Sequence, residues 1–215
     1  MILTRLILMI ISLVLSMASY AATYDESTFG DLSNDRLNPT EFTLNFGDIG
    51  PNGIAGNNVV SGVVGRNGST VDRDYLHLIV PTGFTWSELR VSNQTQVGST
   101  SSFIGLAAGS TMPVEPTTQS ATGLLGFKLY NLNDRGLDIL DDMAVSQNGS
   151  SGFSTPLSAG SYTLWIQELA PGNFNYRFNL ILTPIPEPES YAMLIAGWGI
   201  ISILSKRKLH NKKYI

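Results

Sequence analysis

The sequence contains no cysteine, which excludes disulfide cross-links, thiol catalysis, thiolate metal sites and a lipidated amino-terminal cysteine together. Whatever stability the chain has outside the cytoplasm must come from its core. Histidine is nearly as scarce, with only His77 and His210 in 215 residues. A Ser-His-Asp hydrolase needs a base placed between nucleophile and carboxylate, and His77 alternates with Tyr75 and Ile79 as an ordinary strand residue does. No Gly-x-Ser-x-Gly elbow occurs; Gly149-Ser150-Ser151-Gly152 reads as a flexible turn. The composition therefore points away from an enzyme. Cations are also sparse between the two ends: residues 22–183 hold seven Lys and Arg against fifteen Asp and Glu, a balance near minus eight. Nucleic-acid binding relies on neutralising phosphates and is excluded on that ground. An acidic body of this kind favours solubility and attracts calcium or basic surfaces.

Both termini carry apolar stretches. Arg5 precedes an apolar core over 6–14, followed by small residues and a Ser19-Tyr20-Ala21 site. This is the charged, apolar and small-residue order of a secretory signal peptide, so residues 1–21 are expected to form a signal helix read by the secretion machinery and cut after Ala21. The other end runs Pro184-Ile185-Pro186-Glu187-Pro188-Glu189-Ser190, then an apolar stretch over 191–204, then a basic cluster opened by Lys206, Arg207 and Lys208. Each proline fixes φ and removes an N–H, so the first part stays extended and accessible. The apolar part satisfies its backbone as a transmembrane helix, and the basic end favours the cytoplasmic side of the inner membrane. It is short against the roughly 20 residues that cross a bilayer core, and Gly197 and Gly199 weaken its helix. Both features suit brief residence in the membrane.

This three-part tail, residues 184–215, resembles the PEP-CTERM sorting signal of Gram-negative bacteria, with Pro186, Glu187 and Pro188 as the signature and Ser190, Tyr191, Ala192 and Met193 following in the family's manner. The resemblance implies recognition by an exosortase, a membrane-embedded cysteine protease that cleaves nearby and delivers the body to the cell envelope or extracellular matrix. An ordinary single-pass anchor is the alternative.

About 160 residues remain between the ends, enough for one domain with its own core. Residues 22–38 are polar and read as a lead-in. Beyond Pro39, alternation and turn residues mark strands over 42–46, 59–64, 73–80, 84–91, 103–106, 124–130, 162–167 and 174–182. Leu169-Ala170-Pro171-Gly172-Asn173 suits a tight turn, so the last two strands are expected to form a hairpin. About eight short strands without a helical period predict an all-β fold, an antiparallel β-sandwich of jelly-roll-like type over residues 22–183. Asp72-Arg73-Asp74-Tyr75-Leu76-His77-Leu78-Ile79-Val80-Pro81-Thr82-Gly83, with Ala159-Gly160-Ser161-Tyr162 downstream, is similar to the bacterial pre-peptidase carboxy-terminal type of β-sandwich. That resemblance implies a secreted accessory module concerned with binding or stability.

Catalytic residues and a required cofactor are not expected, and calcium is the one ion the composition suits, because it needs only oxygen ligands. Asn131, Asn133, Gly136 and Asp142 fall at EF-hand spacing, but Arg135 occupies a ligand position and Asp142 stands where a bidentate Glu belongs. Asp138, Asp141 and Asp142 (with Asp134), and separately Asp72 and Asp74, are candidate ligands in another geometry or else solvated loop acids. Trp165 is the candidate glycan contact, on a strand face that is otherwise polar. The functional expectation is a non-enzymatic exported surface or matrix protein with a structural or adhesive role in exopolysaccharide or biofilm. The alternative is a calcium- or carbohydrate-binding secreted module.

Overall fold

The computed structural model describes residues 21–47 and 56–186. The expected signal peptide up to residue 20, Glu187 and Pro188 of the sorting motif, the apolar tail segment and the basic end at Lys206, Arg207 and Lys208 lie outside the described residues. Among the described residues no helix is long and apolar enough to cross a membrane.

The body is all-β and mostly antiparallel. Among the described residues nine strands run in chain order: β1 Thr23–Asp25, β2 Thr40–Thr43, β3 Asn57–Asn67, β4 Thr70–Val80, β5 Phe84–Val91, β6 Ser102–Ala108, β7 Gly126–Tyr130, β8 Gly160–Gln167 and β9 Gly172–Pro184. Their spatial order is β5-β9-β3-β4-β8-β6-β7, with β1 added parallel to β3 and β2 parallel to β4. Two short α-helices, α1 Glu26–Phe29 and α2 Leu140–Ala144, and one 3-10 turn are the only described helices.

β3 and β4 form a hairpin around Asn67-Gly68, where Gly68 supplies the positive φ of the turn. They pair only from Gly65↔Asp72 to Asn67↔Thr70 and then part. From the fork, β3 runs with β9 over Asn57↔Ile181 to Gly65↔Asn173, and β4 runs with β8 over Arg73↔Gln167 to Val80↔Gly160. The sheet thus curls into a half-barrel, and one apolar core fills the space between its arms. Val60, Val64, Tyr176, Phe178 and Leu180 come from one arm; Leu76, Leu78, Leu164, Ile166, Ile104 and Leu106 come from the other. Each set sits at alternate positions of its strand, as one face of a sheet requires.

The expected hairpin between the last two strands does not form. β8 lies between β4 and β6, whereas β9 lies between β3 and β5. The turn residues are at the corner, but Glu168, only 2% exposed, decides where the chain goes next. Its carboxylate accepts from the Gly98 amide at 2.8 Å, the Ser102 hydroxyl at 2.6 Å and the Ala170 amide at 2.8 Å. A buried carboxylate with three donors fixes the chain as it crosses from one arm to the other.

Residues 22–47 are built into the sheet rather than trailing from it. Where β3 and β4 separate, each exposes an edge; β1 pairs with the edge of β3, and Ser33 and β2 pair with the edge of β4. Buried Asn58 fastens both ends of this segment, accepting from the amides of Ala22 at 3.0 Å and Asn45 at 2.7 Å. Gly65 marks the fork itself: a Cβ there would collide with the carbonyl oxygen of Gly172, backbone against backbone. Gly65→Ala is expected to cost about 1–3 kcal/mol, read as a lower urea midpoint at unchanged slope.

Candidate metal centre

The lead-in crosses from the β3 edge to the β4 edge through α1 and residues 30–32, and its acids converge there. Asp25 caps α1 by accepting from the Ser27 amide at 2.9 Å, which aims Glu26 inward. Glu26 is held at both oxygens: Oε1 accepts from the Leu32 amide at 3.1 Å and Oε2 from the Val63 amide at 2.7 Å. Its carboxylate occupies the space left by the missing side chain of Gly62, where a Cβ would come within 2.5 Å of both Glu26 Cδ and the Tyr176 hydroxyl oxygen. Asp31 follows on the same crossing. Asp74 arrives from β4, on the face shared with Leu76 and Leu78.

One carboxylate oxygen from each of Glu26, Asp31 and Asp74 lies within 4.8 Å of the other two. Two oxygens each about 2.4 Å from one calcium ion are at most about 4.8 Å apart, so the three fit around a single hard cation. The cluster grades from exposed Asp31 through half-buried Glu26 to fully buried Asp74. Asp74 is 0% exposed, and neither of its oxygens makes a well-formed hydrogen bond, the Tyr176 hydroxyl being the group that approaches them. Tyr176, 2% exposed, brings its hydroxyl up to Asp74, near enough to pull that carboxyl down against the effect of burial, but the pair falls short of a well-formed hydrogen bond.

The electrostatics express the same shortage of positive charge. Burial, then the neighbouring Glu26, push the Asp74 carboxyl up to about 9. Burial raises Glu26 as well, against the pull of its two backbone donors, with Asp31 and Asp72 adding to the rise. The Tyr176 hydroxyl is held well above its ordinary value by burial and by Asp74 and Glu26. Buried groups left without partners are costly. A divalent cation would satisfy Asp74 and Tyr176 together and draw all three groups back toward their ionised forms.

The other candidate ligands are employed elsewhere. Asp72 accepts from the Asn34 side-chain amide at 3.1 Å and is not among the three converging oxygens. Asp134 accepts from the Asn131 amide at 2.7 Å, and Asp138 accepts from the amides of Leu89 and Leu140 at 2.8 and 3.0 Å. Asp141 takes the Thr155 hydroxyl at 2.5 Å, and Asp142 takes the Lys128 ammonium at 2.7 Å. Pinning a loop and its two short helices therefore accounts for these acids, and the structure does not bring them around one point. Trp165 is 5% exposed; its ring packs on Phe103 at 4.6 Å and on Tyr75 at 5.9 Å between centroids. Pro186 is exposed at the end of the described chain.

No family profile, curated protein or solved structure matches the chain. The site therefore stands on its own geometry. Sequence reading found Asp74 but missed Glu26 and Asp31, because they sit in a segment with little apolar periodicity. One signal was available: Gly62 interrupts Val59-Val60-Ser61-Gly62-Val63-Val64, and a glycine inside such a strand marks close approach by another group.

Proposed function

We propose that this chain is an exported, non-enzymatic module with a jelly-roll-like sandwich body, sorted by an exosortase at Pro186-Glu187-Pro188 and placed in the cell envelope or extracellular matrix. Its role there is structural or adhesive, among exopolysaccharide. The order of the tail carries this reading: an extended proline segment, then an apolar stretch, then a basic end, directly after an acidic body that ends its last strand at Pro184. The lone body histidine, His77, lies 3.8 Å from Glu41 on neighbouring strands, with no serine nucleophile among its hydrogen-bond partners in the described residues. In cells with the sorting protease, intact-mass measurement should find a mature chain lacking the basic end. Equal masses with and without the protease, both retaining Lys206, Arg207 and Lys208, would overturn the sorting.

A second reading is favoured by the buried Asp74, which has no cation beside it among the described residues and no well-formed hydrogen bond: the body binds calcium through Glu26, Asp31 and Asp74. Calcium needs six to eight oxygen ligands, so the three carboxylates and the Tyr176 hydroxyl would form part of a shell completed by water or backbone oxygens. Bound there, the ion would tie the lead-in crossing to β4 and close the fork of the half-barrel. Its effect is structural, and the two readings are compatible.

A further inference from the structure

Away from the carboxylate cluster, the outward face of β9 carries Asn175, Arg177 and Asn179, alternating with the core residues Tyr176, Phe178 and Leu180. Two depressions lie along it. One, of about 460 Å³, is lined by Arg90, Ser92, Asn93, Gln94, Arg177 and Asn179 among others; the second, of about 310 Å³, shares Gln94 and Arg177 with it but is also lined by Asp25, Glu26 and Tyr176 and so opens onto the carboxylate cluster. The first, between β5 and β9, is a groove with no carboxylate in its lining and falls within the roughly 300–1,000 Å³ range of ligand sites.

We propose that this groove is a subsite for an acidic polysaccharide, with Arg177 receiving a sugar carboxylate and the amides of Asn93, Gln94 and Asn179 reading hydroxyl groups. The inference rests on the matrix role proposed above and names the class of partner. Arg177 is rigidly presented. Its backbone N–H donates to the Thr95 hydroxyl at 3.1 Å, that hydroxyl donates to its carbonyl at 2.8 Å, and the Ser92 amide donates to the same carbonyl at 2.9 Å. Its guanidinium, by contrast, has no hydrogen-bond or ion-pair partner among the described residues. The carboxylate that feels it, Asp25, is already engaged by Ser27 and Ser61. A guanidinium is suited to two parallel bonds with a carboxylate. Arg90 pairs with Glu88 and reaches the Gly136 carbonyl at 3.5 Å, so it contributes charge at the rim with part of its capacity spent. The side-chain oxygen of Asn179 is a further buried acceptor without a partner.

The ligand class follows from what surrounds these groups. Three of the seven body cations, Arg90, Arg135 and Arg177, gather here; Arg135 is fixed by donating to the Thr95 carbonyl at 2.7 Å. The remainder of the body is acidic and repels a densely charged polymer such as nucleic acid, which carries one charge per about 1.7 Å. A polyuronate spaces its carboxylates by whole sugar rings and presents hydroxyls between them, matching one free guanidinium flanked by amides. The larger depression has no aromatic ring in its lining, and both Trp86 and Trp165 are buried, so the stacking that neutral glycans exploit is missing.

The test is affinity electrophoresis of the full chain, in neutral detergent, through gels containing polygalacturonate or dextran, each with calcium and with chelator. Retardation by polygalacturonate alone, persisting in chelator, is expected. Arg177→Ala should weaken it about tenfold, one full charge-assisted contact, with partial rescue by Arg177→Lys. Arg66→Ala, which removes an exposed charge on the β3–β4 hairpin away from the groove, should leave it unchanged. Equal losses for Arg66→Ala and Arg177→Ala would mean general charge attraction and overturn the groove. Retention that needs calcium and ignores Arg177→Ala would place the anion on the cation instead, again overturning the groove. Retention on dextran, or none on either polymer, would overturn the ligand class. None of these outcomes bears on processing of the tail, which the mature mass tests separately.

Discussion

Replacing Asp74 with asparagine is expected to stabilise the calcium-free protein at pH 8 and to abolish its thermal response to calcium. The groups facing Asp74 are Glu26, Asp31 and Asp72, all acidic, and the Tyr176 hydroxyl. In the folded protein its carboxyl titrates near 9, against the ordinary 3.8 expected when unfolded. Below about pH 4 both states hold the proton and the group has no effect on stability. Between pH 4 and 9 the unfolded chain releases the proton while the folded one keeps it, so stability falls steadily as pH rises through that window. Every tenfold difference in proton affinity between the two states corresponds to about 1.4 kcal/mol, and even a strongly relaxed site retains a penalty of about 2 kcal/mol at pH 8. Asparagine is nearly isosteric, cannot ionise and removes this slope. Calcium acts oppositely on the wild type. It binds the ionised carboxylate, so its stabilisation grows with pH, reaching about 2.7 kcal/mol at a concentration one hundred times Kd. Melts at pH 6 and pH 8, with calcium and with chelator, separate the effects. A wild-type midpoint at pH 8 that is the same in both would sink the metal site, and an Asn variant that still responds would move it elsewhere.

The strands were legible because alternation is a local property. Seven of the eight marked segments coincide with β3 to β9 to within a few residues, and the first expected strand, at 42–46, overlaps β2. Partnership was less legible, because it is settled by groups distant in sequence. The Leu169-to-Asn173 segment has turn chemistry, yet the buried Glu168 binds Gly98 and Ser102 and routes β8 and β9 to different arms. A lone glutamate at a strand end looks like a solvated residue until its donors are in place. The lead-in failed for a related reason. β1 and β2 are three and four residues long, too short to show a period, and they exist because the fork leaves two unpaired edges to cover. The metal candidate was therefore half visible: Asp74 stands in a recognisable strand, whereas Glu26 and Asp31 are brought to it by a crossing that only the fold explains.

Trp165→Ala is expected to lower stability by about 3–5 kcal/mol, roughly 10 °C in Tm for a domain of this size. The ring belongs to a second apolar cluster on the far side of β8 from the main core. There Tyr75, Ala107, Met112, Val114, Ala121 and Leu124 enclose it beneath the 109–125 segment. That covering explains why β8 is buried on both faces, with Leu164 and Ile166 in one cluster and Trp165 in the other. The cavity beside the ring is about 70 Å³, far below the roughly 300 Å³ at which small-ligand sites begin, so a sugar has no room to stack on it. Trp165 Nε1 is buried without a partner, and an unmet donor contributes nothing favourable to the fold. Trp165→Phe, which keeps an aromatic ring against Phe103 and removes that donor, should therefore cost less than half as much as the alanine change. Chemical denaturation of the two variants checks the ordering. If Trp165→Ala instead left the midpoint in place while weakening binding to a neutral glycan, the ring would have to be a ligand contact, and the 109–125 cover would have to open to expose it.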